Sequence, residues 1–207
     1  MRKSIFSMAL SATLMITTAS CSTNSEEATL SNKKTENAAL ENIMTRTSVR
    51  QYQPNRTISK DTVELLLSAA MAAPTAVNCQ PWQFIVVDER AALDSLASAL
   101  PYAKMLKEAS IAIVTCGDLS KAFESEPSFW IQDLSAATEN LLLAAHALGL
   151  GAVWTGGYPT ERMKAIAEHF NLPSNIIPLA VVPIGYPLGE QQPKDKWNPE
   201  AVHYNCW

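Results

Sequence analysis

Residues 45–52 read TRTSVRQY and set two arginines, Arg46 and Arg50, four positions apart with Thr47 and Ser48 between them. A guanidinium is a fixed, multi-donor cation suited to carboxylate or phosphate oxygens. The stretch is the densest cationic spot in a chain whose formal net charge is −4. Such a chain lacks the basic surface that a nucleic-acid backbone requires, so nucleic acid is set aside as a bulk partner. A local site for one small anion remains compatible with it. By itself the stretch is also readable as a solvated helix end, where cations complement the helix dipole and need no ligand. A second cationic pair, Lys194 and Lys196 in PKDK, stands in a polar tail.

Other chemistries fail on spacing. GLGAVW, from Gly149, has Trp154 where a dinucleotide-binding loop needs its third glycine, and it follows a long helical pattern rather than a strand. Neither GxxxxGK[ST] nor GxSxG occurs. Cys79 with His146 or His169 as base would make a nucleophile, but nothing in the sequence brings them together, and a lone cysteine commonly fills apolar space. Cys79, Cys116 and Cys206 are odd in number and lack CxxC spacing, and His146, His169 and His203 lie far apart, so neither a disulfide framework nor a metal site follows. Four stretches remain that could carry chemistry: TRTSVR, APTAVNCQPWQF, GAVWTGGYP and PKDK.

The elements that must position them alternate in type. A short helix is expected over 36–44. Ser59 is a plausible N-cap for a helix through about 72, with Val63, Leu66, Leu67 and Ala70 on one side. Residues 73–81 form a loop bracketed by prolines. QFIVVDE reads as a buried strand, 89–99 as a helix, and SIAIVTCGD as a second buried strand. The longest helix spans about 128–148, and its apolar stripe is wider than one packed face needs. It is therefore central in a domain or covered by a second subunit. GAVWTGGYP is a strand entering a Gly-Gly turn, 160–169 a helix, and LAVVPIGYP the last strand. Strands alternating with helices imply a sheet covered on both faces, and continuously apolar strands suit such burial.

The N-terminus has its own chemistry. Residues 1–20 have a basic start, Arg2 and Lys3, then an apolar run from Ile5 to Ile16 that is too short and too rich in Ser and Thr to span a membrane well. They read as a secretory signal peptide. Thr18-Ala19-Ser20-Cys21 resembles the lipobox of bacterial lipoproteins, with Thr18 where that pattern has Leu; the resemblance implies Cys21 as lipid anchor. The alternative is an ordinary cleaved signal with an incidental cysteine. Residues 21–39 are polar, cannot pack a core and read as a tether. Removal of the leader takes the charge from −4 to −6, since Arg2 and Lys3 go with it. Residues 40–207 are long enough for one domain with a real core.

In order and separation, the four stretches resemble the nitroreductase family of FMN-dependent oxidoreductases, from about residue 40 to the tail. The resemblance implies an α+β fold of three layers, α/β/α, with a central mixed sheet covered by helices, and a homodimer with two FMN sites at its interface. Arg46, Thr47 and Ser48 are then expected at the FMN phosphate, with Lys194 and Lys196 closing over it. Arg50 is expected near the N1/O2 edge of the ring, which becomes negative on reduction. APTAVNCQPW matches the family run that brings Pro74, Thr75, Ala76 and Asn78 to the flavin from the partner subunit, with Gln80 and Trp82 structural. In GAVWTGGYP the backbone N–H of Gly156 is expected to face N5, with Thr155 and Gly157 beside it. Lys104 is a looser match to a lysine near the pyrimidine edge, and a solvated helix lysine serves equally. Each stretch has a plainer reading as turn, connector or charged tail. The implied activity is ping-pong hydride transfer from NAD(P)H through N5 to a nitroaromatic, quinone or similar acceptor, the cofactor supplying the chemistry and the protein the position and field. The alternatives are other flavin chemistry on the same fold (dehalogenation, dehydrogenation, flavin breakdown) or a non-enzymatic ligand-binding surface lipoprotein. An exported domain meets little NAD(P)H, so another donor stays open.

Overall fold

The computed structural model describes residues 37–207; the expected signal peptide, Cys21 and nearly all of the tether lie outside the described residues. Among the described residues helices and strands follow in the order α1 Ala38–Thr45, α2 Lys60–Met71, β1 Trp82–Val87, α3 Arg90–Ala99, β2 Ile111–Asp118, α4 Phe129–Ala147, β3 Gly151–Ala152, β4 Thr155–Gly156, α5 Arg162–His169 and β5 Ile176–Gly185. Local chemistry sets several boundaries. Ser59 caps α2 by accepting the Thr62 N–H, and Asn37 caps α1 in the same way. Helix α4 stops where Gly149 takes φ +71°, and the N–H groups of Gly149 and Leu150 return to the carbonyls of His146 and Ala145 at 3.0 and 2.8 Å. This is a left-handed helix stop that glycine adopts without strain. It accounts for GLGAVW without any nucleotide.

The sheet runs in the order β1-β2-β5-β3, with β4 also on β5, and every one of these pairings is antiparallel. The expected mixed character narrows to one isolated parallel bridge, Ser48 to Ala152. Continuous apolar strands hid this, because they report burial on both faces, not strand direction. In β2, Ile111 and Ile113 pack with α2 and α4 through Leu66, Ala70, Ala137 and Leu141. The alternate residues Ala112, Val114 and Cys116 pack with α3 and α5 through Leu93, Leu96 and Ile166. Side chains that alternate between two helix layers leave no polar face, and β2 is buried along its whole length. Burial also pushes the Cys116 thiol up to about 12, which removes it as a nucleophile.

Two irregularities in β5 shape the edge that carries the site. The register places Val153 opposite Pro183, since Ala152 pairs with Ile184 and Thr155 with Val181. Pro183 has no N–H to return to Val153, whose own N–H reaches the Pro183 carbonyl at only 3.4 Å. The edge strand is accordingly broken between β3 and β4. Further along, the pairing of Thr115 with Ala180 and Cys116 with Pro178 leaves Leu179 as a bulged extra residue. Its carbonyl accepts from both Gly157 and Tyr158, at 3.0 and 3.1 Å.

Candidate functional site

The TRTSVR stretch begins at the end of α1 and is pinned on two sides. Val49 N–H donates to the Ala152 carbonyl at 3.0 Å, which lays Ser48 and Val49 along β3. Below it, fully buried Tyr52 directs its hydroxyl at the Val49 carbonyl, 2.8 Å away, with the Pro183 carbonyl at 3.1 Å. The tail arrives by a separate pairing. Gln53 N–H donates to Tyr186 O at 2.8 Å and Leu188 N–H to Gln51 O at 2.9 Å. Gln53 Nε2 adds a bond to Pro187 O, also 2.9 Å, and the Arg56 guanidinium lies 3.5 Å over the Tyr186 ring. Residues 186–188 are thus strapped to 51–53, and the chain beyond them runs beside Arg46 and Arg50.

The result is a cleft of about 300 Å³ lined by Arg46, Thr47, Ser48, Arg50, Gln191, Gln192, Lys194 and Lys196. Four cations line it and no carboxylate does. In a chain of net charge −4, that concentration of one sign creates a local positive potential. Guanidinium and ammonium groups converging with a serine and a threonine hydroxyl present many donors, which is the donor set of a phosphate site. Arg46 is held from behind by an ion pair with Glu139 of α4, Nε to Oε1 at 3.2 Å.

The other expected site residues lie outside the cleft lining. Pro74, Thr75, Ala76 and Asn78 occupy the loop between α2 and β1, which makes a 3-10 turn over Ala76–Asn78. Its backbone is strained: Val77, Asn78 and Gln80 have φ of 42°, 61° and 51°. A β-branched residue in that region is a genuine outlier, and Val77 is also 74% exposed. The loop is fixed by Thr75 Oγ1, which accepts the Gln80 N–H at 3.1 Å, and by buried Asp133 of α4, which accepts the Ala76 N–H at 2.8 Å. Thr155 and Gly156 form β4, where Thr155 Oγ1 donates to Val181 O at 2.6 Å. A Cβ on Gly156 would meet nothing within 4 Å, whereas one on buried Gly157 would sit 3.1 Å from both Ile166 Cδ1 and Leu179 O. Lys104, itself exposed, opens a 3-10 turn, Lys104–Lys107, whose Leu106 is buried. His146 bonds Thr45 Oγ1 at 2.9 Å and His169 meets Phe170 edge-on, so neither is directed at Cys79. Among the described residues there is no cluster of three or more His, Cys, Asp or Glu suited to a metal, and no helix long and apolar enough to cross a membrane.

Sequence reasoning missed Gln191 and Gln192, although they stand immediately before PKDK. It also missed Asp133 and Glu139, polar positions inside a helix read only for its apolar stripe.

The fold and its cleft define a three-layer α/β/α protein with a small cationic recess at the edge of its sheet. The family model described as the nitroreductase family matches residues 43–113 and 94–186. A candidate NADH dehydrogenase/NAD(P)H nitroreductase of Methanothermobacter thermautotrophicus is 45% identical over 169 residues, covering 81% of this chain and 87% of the relative. A crystal structure of a candidate NADH dehydrogenase/NAD(P)H nitroreductase from Bacteroides thetaiotaomicron superposes with a TM-score of 0.78 at 49% identity, covering 84% of this chain and 100% of the other. A candidate nitroreductase of Desulfovibrio desulfuricans, solved in complex with FMN, gives a TM-score of 0.70 at 30% identity, covering 84% and 99% of the two chains. The chain belongs to the nitroreductase family.

Proposed function

We propose that the protein is an FMN-dependent oxidoreductase that takes hydride from NAD(P)H or another donor and passes it to an electron-poor acceptor such as a nitroaromatic or a quinone. The observation that carries this reading is the convergence of Arg46, Arg50, Lys194 and Lys196, from opposite ends of the domain, on one cleft free of carboxylates. Thr47 and Ser48 add hydroxyl and backbone donors beside them. This donor set fits the FMN phosphate. When bound, FMN supplies acceptance of hydride at N5 and its return to the second substrate in a ping-pong cycle. Arg46, Ser48, Lys194 and Lys196 hold the phosphate, and Arg50 holds positive charge toward the N1/O2 edge. The Gly156 backbone N–H would be offered to N5, and a Cβ built on Gly156 meets nothing within 4 Å. The loop 74–78 reaches the flavin bound to a second copy. No side chain has to move a proton.

The experiment is anaerobic titration of the purified full chain with NADH and with NADPH, followed at the flavin absorbance. The yellow colour bleaches with the donor and returns on addition of a nitroaromatic or quinone. Arg46→Ala loses FMN, while Arg50→Ala keeps it but shifts the bound flavin to a more negative potential. A folded domain that is colourless and refuses added FMN overturns the proposal.

The same proposal extends to location. A cleaved leader and an acylated Cys21 would tether the domain outside the cytoplasm. Mass spectrometry of the mature N-terminus checks this: a diacylglyceryl-cysteine supports it, and an intact Met1 or cleavage elsewhere defeats it.

A further inference from the structure

We propose that Glu139 is a positioning residue for the anion cleft, holding Arg46 so that the outer nitrogens of its guanidinium face the phosphate. This rests on the FMN reading above. Glu139 lies outside the cleft lining, and its Oε1 stands 3.2 Å from Nε of Arg46 as an ion pair. That leaves the two Nη groups, the paired ends of the guanidinium fork, for an anion.

Taken alone, an ion pair with a half-exposed glutamate stabilises little. This one is the last of three contacts between the same two helices. Asn42 Nδ2 donates to the Leu143 carbonyl at 3.0 Å, and Thr45 Oγ1 bonds His146 Nε2 at 2.9 Å. Residues 42, 45 and 46 share one face of α1 and its end, and 139, 143 and 146 share one stripe of α4. The register of α1 on α4 therefore brings the Arg46 side chain to Glu139, and only 17% of that side chain remains exposed. A guanidinium restrained at both its backbone and its Nε has few rotamers left to lose when an anion arrives, which lowers the entropic penalty of binding.

The charge of Glu139 makes the idea testable by sign. A carboxylate near an anion site repels the anion, so removing it would tighten binding if field were its only influence. Positioning predicts the reverse. The experiment titrates FMN and riboflavin, which lacks the phosphate, into flavin-free full-length protein and follows quenching of flavin fluorescence. Glu139→Ala weakens FMN roughly tenfold and leaves riboflavin unchanged. Glu139→Gln, which keeps the shape of the side chain but removes the charge that pairs with Arg46, falls between wild type and Glu139→Ala. In an Arg46→Ala background, Glu139→Ala changes FMN affinity by less than about twofold, because the group through which it acts is gone. Equal or tighter FMN binding by Glu139→Ala overturns the inference, and so does a matching loss for riboflavin. A wild type that binds neither flavin overturns the functional reading and this inference together. A wild type that binds FMN beside an unaffected Glu139→Ala overturns this inference alone.

Discussion

At the scale of single residues, the two neighbouring glycines of the 155–157 turn are doing different things. Gly157 is buried, and a methyl there would press on Leu179 O, a carbonyl already fixed by two N–H donors from Gly157 and Tyr158. Backbone held that way gives little room, so Gly157→Ala is expected to destabilise by about 1–2 kcal/mol. Gly156→Ala meets open space and is expected to change stability by less than about 0.5 kcal/mol. Urea denaturation of the two variants checks the contrast; equal effects would refute the packing argument. His146 supplies a pH dependence. Burial, and then the Arg46 charge, hold its pKa below the ordinary 6.5. The unfolded chain then binds the proton more readily than the folded one, so the contribution of His146 to stability is complete above about pH 6.5 and is lost as pH falls through its lower folded value. Unfolding free energies of the wild type and His146→Gln, measured from pH 7.5 to 5, should diverge, the wild type declining more steeply. Parallel curves would count against it.

At the scale of elements, α4 carries much of the arrangement. Its Asp133 holds the 74–78 loop and its Glu139 holds Arg46, while its apolar side packs the sheet. Periodicity and caps located α2, α3, α4 and α5 well, because Ser59, Gly149 and the leucine spacing act locally. Strand direction was not legible, since Ile111 to Cys116 read identically in either sense. Nor were Gln191 and Gln192, because their place is set by the pairing of 51–53 with 186–188, a contact that no local pattern announces. The cationic pairs were legible as residue types, but only the fold brings Lys194 and Lys196 to Arg46 and Arg50. That convergence has a measurable consequence. If the tail acts through charge, FMN affinity falls with rising salt, and the double substitution Lys194→Ala with Lys196→Ala both weakens binding and flattens the salt dependence. An unchanged slope would place the two lysines outside the site.

At the scale of the whole molecule, surface remains that one chain does not cover. Helix α1 buries none of its residues, and Leu40, Ile43 and Met44 are 50%, 55% and 53% exposed. They stand at i, i+3 and i+4, one contiguous apolar face. A helix of eight residues has marginal stability in water by itself, so its order depends on packing. Within the chain it gains contacts at its C-terminal half alone, through Asn42 and Thr45 to α4. Beside it, Leu143 of α4 is half-buried and Leu148, just past the end of that helix, is exposed. An apolar face on two adjacent elements is the form of surface a two-fold dimer buries. If that dimer also brings the 74–78 loop of one copy to the cleft of the other, as the family resemblance implies, assembly and flavin retention should be coupled. Ile43→Glu places a charge in the middle of that face. Sedimentation equilibrium should find the wild type dimeric and the variant shifted to monomer, with FMN released in proportion to the monomer formed. A wild type that is monomeric while keeping FMN would break the coupling, and the flavin site would then belong to one chain alone.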